Sequence, residues 1–165
     1  MVAEAHEVGP HRYRERYGRY FEDFTIGDIY EHRPNRTIGE ADNTWFTLLT
    51  MNQHPLHFDA EYAKHSEFGR CIVSSPLTVA LMCGMSVSDV SQKAIANLGW
   101  REIKLTHPLF VGDTLSAESE VLDKRDSKSR PPASIVTVQT RGFNQQGTLV
   151  CEFDRTILVG KRGFD

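Results

Sequence analysis

The sequence predicts an α+β fold in which an antiparallel β-sheet wraps around one long central helix. Three observations predict it. First, "SSPLTVALMCGMSVSDV" sets Leu77, Val79, Leu81, Met82, Met85 and Val90 at angles all around a helix, and a helix apolar on every side must be surrounded rather than laid on a surface. Second, the C-terminal half alternates apolar and polar residues with a period of two, the pattern of half-buried strands. Third, one early extended segment, then helices, then a run of strands is an α+β order.

Taken in order, residues 1–18 form an arm in which Arg12, Tyr13, Arg14, Arg16 and Tyr17 mix charge with aromatic rings. A solvated tail and an arm packed on a partner subunit both suit that composition. Residues 19–165 form a single domain. "DIYEHRPNRT", Asp28 to Thr37, is extended, and Pro34 restricts it to an edge strand or a bulge. "IGEADNTWFTLLTM" is helical, with Trp45, Phe46, Leu48 and Leu49 on one face. Asp42 lies near its start, where a carboxylate meets the positive end of the helix dipole. The helix ends near Met51, because Pro55 prevents its continuation. "DAEYAKHSEFG" is a second short helix closed by Gly69. The central helix starts with Ser75 as N-cap and Pro76 at the first helical position, and about 16 residues from Pro76 would span about 24 Å. Strands follow: "WREIKL", then "TLSAESEVLD" with Leu115, Ala117, Ser119 and Val121 facing inward. "ASIVTVQTRGF" and "TLVCEFDRTILVG" are joined by the hairpin signal "NQQG". Between the second and third of these strands, "DKRDSKSRPP" is a charged loop.

Composition narrows the function classes. The chain has 165 residues, 39% apolar and 25% charged, which suits one soluble globular domain. A net charge of -3 shows no basic face, so nucleic acid is not an expected partner. No apolar run is long enough to span a bilayer, and the charged N-terminus lacks the apolar stretch of a secretory signal. Cys71, Cys83 and Cys151 are odd in number and outside any CxxC spacing. They read as buried thiols of a reducing, cytoplasmic compartment.

Candidate chemistry collects around "MNQHPLHFDAEY", Met51 to Tyr62. His57 carries an imidazole, the side chain most often used to move protons, and sits in a loop stiffened by Pro55, so it is the candidate proton carrier. His54 and His57 alone are too few ligands for a metal, and none is expected. The start of the central helix, Ser74-Ser75-Pro76, offers unpaired N–H groups and about half a positive charge. Such a terminus can stabilise an oxyanion such as a thioester enolate, although plain helix capping explains the same residues.

At these residues the sequence resembles the MaoC-like dehydratases, the hot-dog-fold (R)-specific enoyl-CoA hydratases. That family carries a motif close to Gly-Asp-x-Asn-Pro-Leu-His-x-Asp, matched here at Pro55, Leu56, His57 and Asp59. "FGRCIVSSPLTVALM" is similar to the family's stretch leading into the central helix, and "LFVGDTLSAESEV" to its "F-x-GD-x-L-x-A-x-x-x-V" strand. "YFEDFTIGD" resembles its opening segment, so the likeness runs from about Tyr20 to Arg162. The resemblance implies a hot-dog fold and reversible syn addition of water to a 2-enoyl-CoA thioester. It implies that a His, matched by His57, works with an Asp on one water, while backbone N–H near the buried helix binds the thioester oxygen. It implies no cofactor beyond the CoA thioester substrate, and an assembly of at least a dimer, with the site built across two subunits.

This chain departs from the motif in two places. Asn52 stands where the family has Asp, and Met51 where it has Gly; an amide can orient water but cannot carry a proton near neutral pH. Ser74-Ser75 replaces the family's His-Gly. These departures are similar to a branch that handles methyl-branched or dicarboxylic substrates such as mesaconyl- or itaconyl-CoA. A second carboxylate would need a cation, and Arg70 or Arg101 would bind it through a fork that reaches both oxygens. Surface ion pairing explains either arginine alone. Trp100 is read as core filler ahead of pocket lining, and the lysines and arginines of "DKRDSKSR" as solvated ahead of binding CoA phosphates. Two rival functions stay open: a hot-dog acyl-CoA thioesterase and a non-catalytic acyl-CoA-binding subunit, the latter suggested by Asn52.

Overall fold

The computed structural model describes residues 4–163. Residues 1–3 of the expected arm and 164–165 of the expected domain lie outside the described residues. The first two strands, β1 (Glu4–Gly9) and β2 (Arg12–Arg16), pair as an antiparallel hairpin separate from the main sheet. Every residue of β2 is exposed. The arm is thus a polar two-stranded ribbon, a form that sequence reading left undefined.

The main sheet has the order β3-β5-β6-β7-β4, with every neighbour antiparallel. Its strands are β3 (Ile29–Thr37), β4 (Ala94–Leu105), β5 (Thr114–Asp126), β6 (Ala133–Phe143) and β7 (Leu149–Gly160). β3 is an edge, and its register with β5 shifts between His32 and Arg36, around Pro34; a residue that cannot donate to a ladder is tolerated there. In β5, Leu115, Ala117, Ser119 and Val121 are buried and their neighbours are not, as the alternation predicts. The strand runs on to Asp126, so the first part of the supposed charged loop, "DKRD", is strand. β4 likewise starts earlier than "WREIKL", at Ala94.

Helices α1 (Glu40–Leu49), α2 (Ala60–Lys64) and α3 (Ser75–Met85) separate β3 from β4. A π-helical turn, Val87–Ser91, prolongs α3, so the helical rod reaches the length expected from Pro76. Leu77 and Met82 of α3 pack with Ile38, Leu115, Val150 and Phe153, each such side chain contributing about 1.5–3 kcal/mol by leaving water. Gly142 on β6 permits this approach: a Cβ there would lie 2.6 Å from Met82 Sδ. A second apolar cluster, including Phe24, Val90, Val136 and Ile157, fills the far end.

Several expectations need correction. α3 starts one residue earlier than predicted: Ser74 is the extended N-cap and Pro76 the second helical residue. The sheet covers only one side of α3, leaving Ser75, Pro76, Ala80, Gly84 and Val87 exposed. α2 ends at Lys64, capped by His65 rather than Gly69. The largest correction concerns α1. Its fully buried residues are Asn43 and Thr47, and of the expected apolar face only Phe46 packs on the core, whereas Trp45, Leu48 and Leu49 are 69%, 55% and 76% exposed. The reason is polar: the neighbouring loop presents carbonyls that need donors, and Asn43 supplies them.

Candidate active site

The site is built where the exit of α1 meets the entry to α3. At its N-terminus, α1 is fixed by Asp42, whose Oδ2 accepts the Gly39 N–H at 2.9 Å and whose Oδ1 meets Arg36 at 2.7 Å. Asp42 therefore serves the helix start, as its position predicted. At the other end Met51 takes a left-handed φ of 58°, a backbone conformation that glycine adopts without steric cost. This turn delivers Asn52, whose N–H is donated to Thr47 O at 3.0 Å and whose Oδ1 accepts the His54 N–H at 3.0 Å. The amide oxygen of Asn52 thus braces the loop, a task a carboxylate could also perform, and Nδ2 remains its donor group.

His57 closes a single 3-10 turn, Pro55–His57. Its half-buried ring places Nδ1 3.0 Å from the Ile72 carbonyl. A carbonyl only accepts, so Nδ1 carries the hydrogen and Nε2 keeps a lone pair, the tautomer of a general base. His54 has the opposite arrangement: its Nδ1 accepts the Leu56 N–H at 3.2 Å. Asp59, the last matched motif residue, caps α2 by accepting the Tyr62 N–H at 3.0 Å. Among the described residues, no three His, Cys, Asp or Glu side chains converge as metal ligands.

The N-cap of α3, Ser74, lies two residues past Ile72. Ser74 cannot supply an oxyanion N–H, because that group is donated to Asn43 Oδ1 at 2.9 Å, and the expectation for Ser74 is corrected accordingly. Pro76 has no N–H, so the first-turn donors are those of Ser75 and Leu77. The hydroxyls of Ser74 and Thr47 are buried without a hydrogen-bond partner among the described residues. Beside this terminus is a pocket of about 200 Å3 lined by Ile72, Ser75, Thr78, Thr106, His107 and apolar neighbours. His107 and Thr106 come from the end of β4 and the connection to β5; sequence reading passed over them, since an exposed "LTHP" carries no spacing signal. In that connection Gly112 (φ 95°) and Asp113, whose Oδ2 accepts the Phe110 N–H at 2.9 Å, form the turn of the "GD" motif.

The remaining candidates are dispersed. Arg70 is exposed and stacks its guanidinium 3.8 Å from the centre of the Phe110 ring, next to the Ile72–Phe110 bridge. Trp100 and Arg101 lie on edge strand β4. Trp100 is 45% exposed, so it does not fill the core of this chain; its strand has only one neighbour to shelter it. Of the thiols, Cys151 is buried and pushed up to about 11 by that burial, with Cys83 nearby. Burial, with Asp59 nearby, also raises Cys71, so neither of the two is poised as a thiolate nucleophile. All three cysteines are unpaired.

The antiparallel sheet packed on one long helix is a hot-dog fold. A Mycobacterium tuberculosis protein with a double hotdog fold aligns with a TM-score of 0.80 at 20% identity, over 90% of this chain and 46% of that one. The MaoC-like dehydratase from Rhodospirillum rubrum aligns with a TM-score of 0.77 at 31% identity, over 88% of this chain and 99% of the other. The mesaconyl-CoA hydratase of Cereibacter sphaeroides is 35% identical over 88% of this chain, which spans 42% of that relative's length. The profile of the mesaconyl-CoA hydratase family matches residues 9–164, and the chain belongs to that family.

Proposed function

We propose that this protein is an enoyl-CoA hydratase, read backwards a 3-hydroxyacyl-CoA dehydratase, acting on a short branched or dicarboxylic thioester such as mesaconyl- or itaconyl-CoA. One observation carries the reading: His57 has its Nδ1–H committed to the carbonyl of Ile72, two residues before the N-cap of α3, and its Nε2 lone pair remains for a proton. In the proposed reaction Nε2 takes a proton from water while the water oxygen bonds to the β-carbon. The double-bond electrons move onto the thioester oxygen, held by the N–H groups of Ser75 or Leu77. The imidazolium then returns the proton to the α-carbon. Asn52 positions the water. This acid–base cycle draws on no metal or redox cofactor.

The partner in this reading is a second copy. Of the two sheet edges, β3 is blunted by Pro34, Arg33 and Arg36, whereas β4 exposes Leu98, Trp100, Ile103 and Leu105. An apolar unpaired edge invites pairing, and the exposed side of α3 and the outer face of α1 add apolar surface for a partner to cover. In this reading Arg101 and Trp100 on that edge, with Arg70, are the candidates to meet an acyl carboxylate across the dimer, supported by their exposure. The unpaired cysteines suit the reducing cytoplasm.

Turnover of mesaconyl-, itaconyl- and crotonyl-CoA, followed by loss of the enoyl thioester absorbance, tests the reading. Hydration of a branched or dicarboxylic substrate in preference to crotonyl-CoA is expected, without release of free CoA. Release of CoA would favour a thioesterase. Asn52 also suits a non-catalytic acyl-CoA-binding subunit, which would bind the panel and turn over none of it.

A further inference from the structure

We infer that Asn43 is a positioning residue that holds His57 in its base tautomer and in register with α3; this rests on the hydratase reading above. Asn43 lies on the inner face of α1 and is only 1% exposed. Its side chain makes three hydrogen bonds, and each goes to the site. Nδ2 donates to His57 O at 2.8 Å and to Ile72 O at 3.0 Å, and Oδ1 accepts from Ser74 N–H at 2.9 Å. Both amide hydrogens are therefore used on carbonyls, which also fixes which end of the amide is nitrogen.

The Ile72 carbonyl is the pivot. One lone pair accepts His57 Nδ1–H and the other accepts Asn43 Nδ2–H. Asn43 thus orients the acceptor that selects the His57 tautomer, while gripping the His57 backbone directly. Its third bond ties the same amide to the N-cap of α3, whose first-turn N–H groups face the developing oxyanion in the proposed reaction. One buried amide therefore fixes the distance between base and oxyanion donors. A residue serving stability alone would gain as much from any buried carbonyl; here two of the three bonds converge on the histidine and the third on the helix that answers it. The neighbouring Thr47 and Ser74 hydroxyls are buried and have no partner among the described residues, so Asn43 is the side chain that ties this polar seam together.

The test pairs spectroscopy with kinetics in Asn43→Val and in Asn43→Asp, which keeps the shape but replaces two donors by an acceptor. Nitrogen-15 NMR of the histidine rings, without substrate, reads the His57 tautomer. In the unaltered protein Nδ1 is expected to carry the hydrogen and Nε2 to be bare. In either variant the two tautomers are expected to mix. On whichever enoyl-CoA the protein turns over, kcat falls about a hundredfold, as for a displaced catalytic group, with KM within about threefold. Finding Nε2 protonated in the unaltered protein overturns the inference, even if both variants fail to fold. A folded variant that keeps the original tautomer, or whose loss falls on KM alone, overturns it as well. Because the NMR reading needs no turnover, it separates failure of this inference from failure of the hydratase reading.

Discussion

His57 and His32 stand at opposite ends of the same helical rod, and the comparison shows what separates a candidate site from a strut. His32 has the more complete array. Its Nδ1 lies 3.0 Å from Asp89 Oδ2 and its Nε2 2.8 Å from Ser119 Oγ, which in turn meets Thr140 Oγ1 at 2.8 Å. An acid, a histidine and a serine in line have the order of a hydrolytic triad. Yet all four side chains are sealed in the protein. No substrate carbonyl can reach that hydroxyl. His57 has fewer partners, but its ring is half-exposed and one nitrogen is uncommitted. Hydrogen-bond geometry is shared by both ends; access belongs to one.

Exchanging the two roles is the sharpest way to break this comparison. His57→Ala is expected to lower hydration by about 10²- to 10⁴-fold, the range of general acid–base catalysis, with little change in unfolding midpoint. His32→Ala is expected to do the reverse. It removes a hydrogen bond from the buried Asp89 carboxylate, leaving Arg19 at 3.6 Å as that group's charged neighbour, and costs about 1–3 kcal/mol in urea unfolding, while the fraction that stays folded turns over normally. Equal loss of activity in both would erase the distinction.

The pH dependence of stability sharpens it further. Burial holds His32 below the ordinary histidine value, with Arg155 and Arg19 also opposing its charge and Asp89 working the other way. The unfolded chain therefore takes up this proton first. Stability from His32 is complete above about pH 6.5 and declines as pH falls from there toward the lower folded value. The urea midpoint should follow that course, and the slope attributable to His32 should vanish in a folded His32→Gln protein.

Smaller effects are expected at the loop. Asn52→Asp should raise kcat by about tenfold, because a carboxylate shares the proton traffic, without loosening the loop, since its oxygen still accepts the His54 N–H. An unchanged rate would make this position a brace only. Met51→Gly should stabilise by about 0.5–1 kcal/mol, relieving a left-handed backbone that L-residues adopt at a cost of roughly 1–2 kcal/mol, less the entropy glycine loses on folding.

Legibility in the sequence followed the range of the signal. The strands β5, β6 and β7 and the rod from Pro76 were readable because burial alternates along the chain itself, as at Leu115, Ala117, Ser119 and Val121. The edge position of β3 was readable from Pro34, whose missing N–H is a local fact. The inner face of α1 was misread because Asn43 answers to carbonyls at His57 and Ile72, which only the fold brings near. The hydrophobic signal of Trp45, Leu48 and Leu49 was real but points outward. For the same reason Asp89 and Ser119 gave no hint of His32, and Trp100, read as core filler ahead of pocket lining, is half-exposed on its edge strand. His57 itself was found through a motif, and the structure supplied its tautomer.

The most direct test of the central claim is imidazole rescue of His57→Ala, read on whichever enoyl-CoA the unaltered protein hydrates. The account predicts a folded, nearly inactive protein whose rate climbs with added imidazole, as a diffusible base occupies the vacated space ahead of α3. A variant that hydrates at the unaltered rate without imidazole would contradict it.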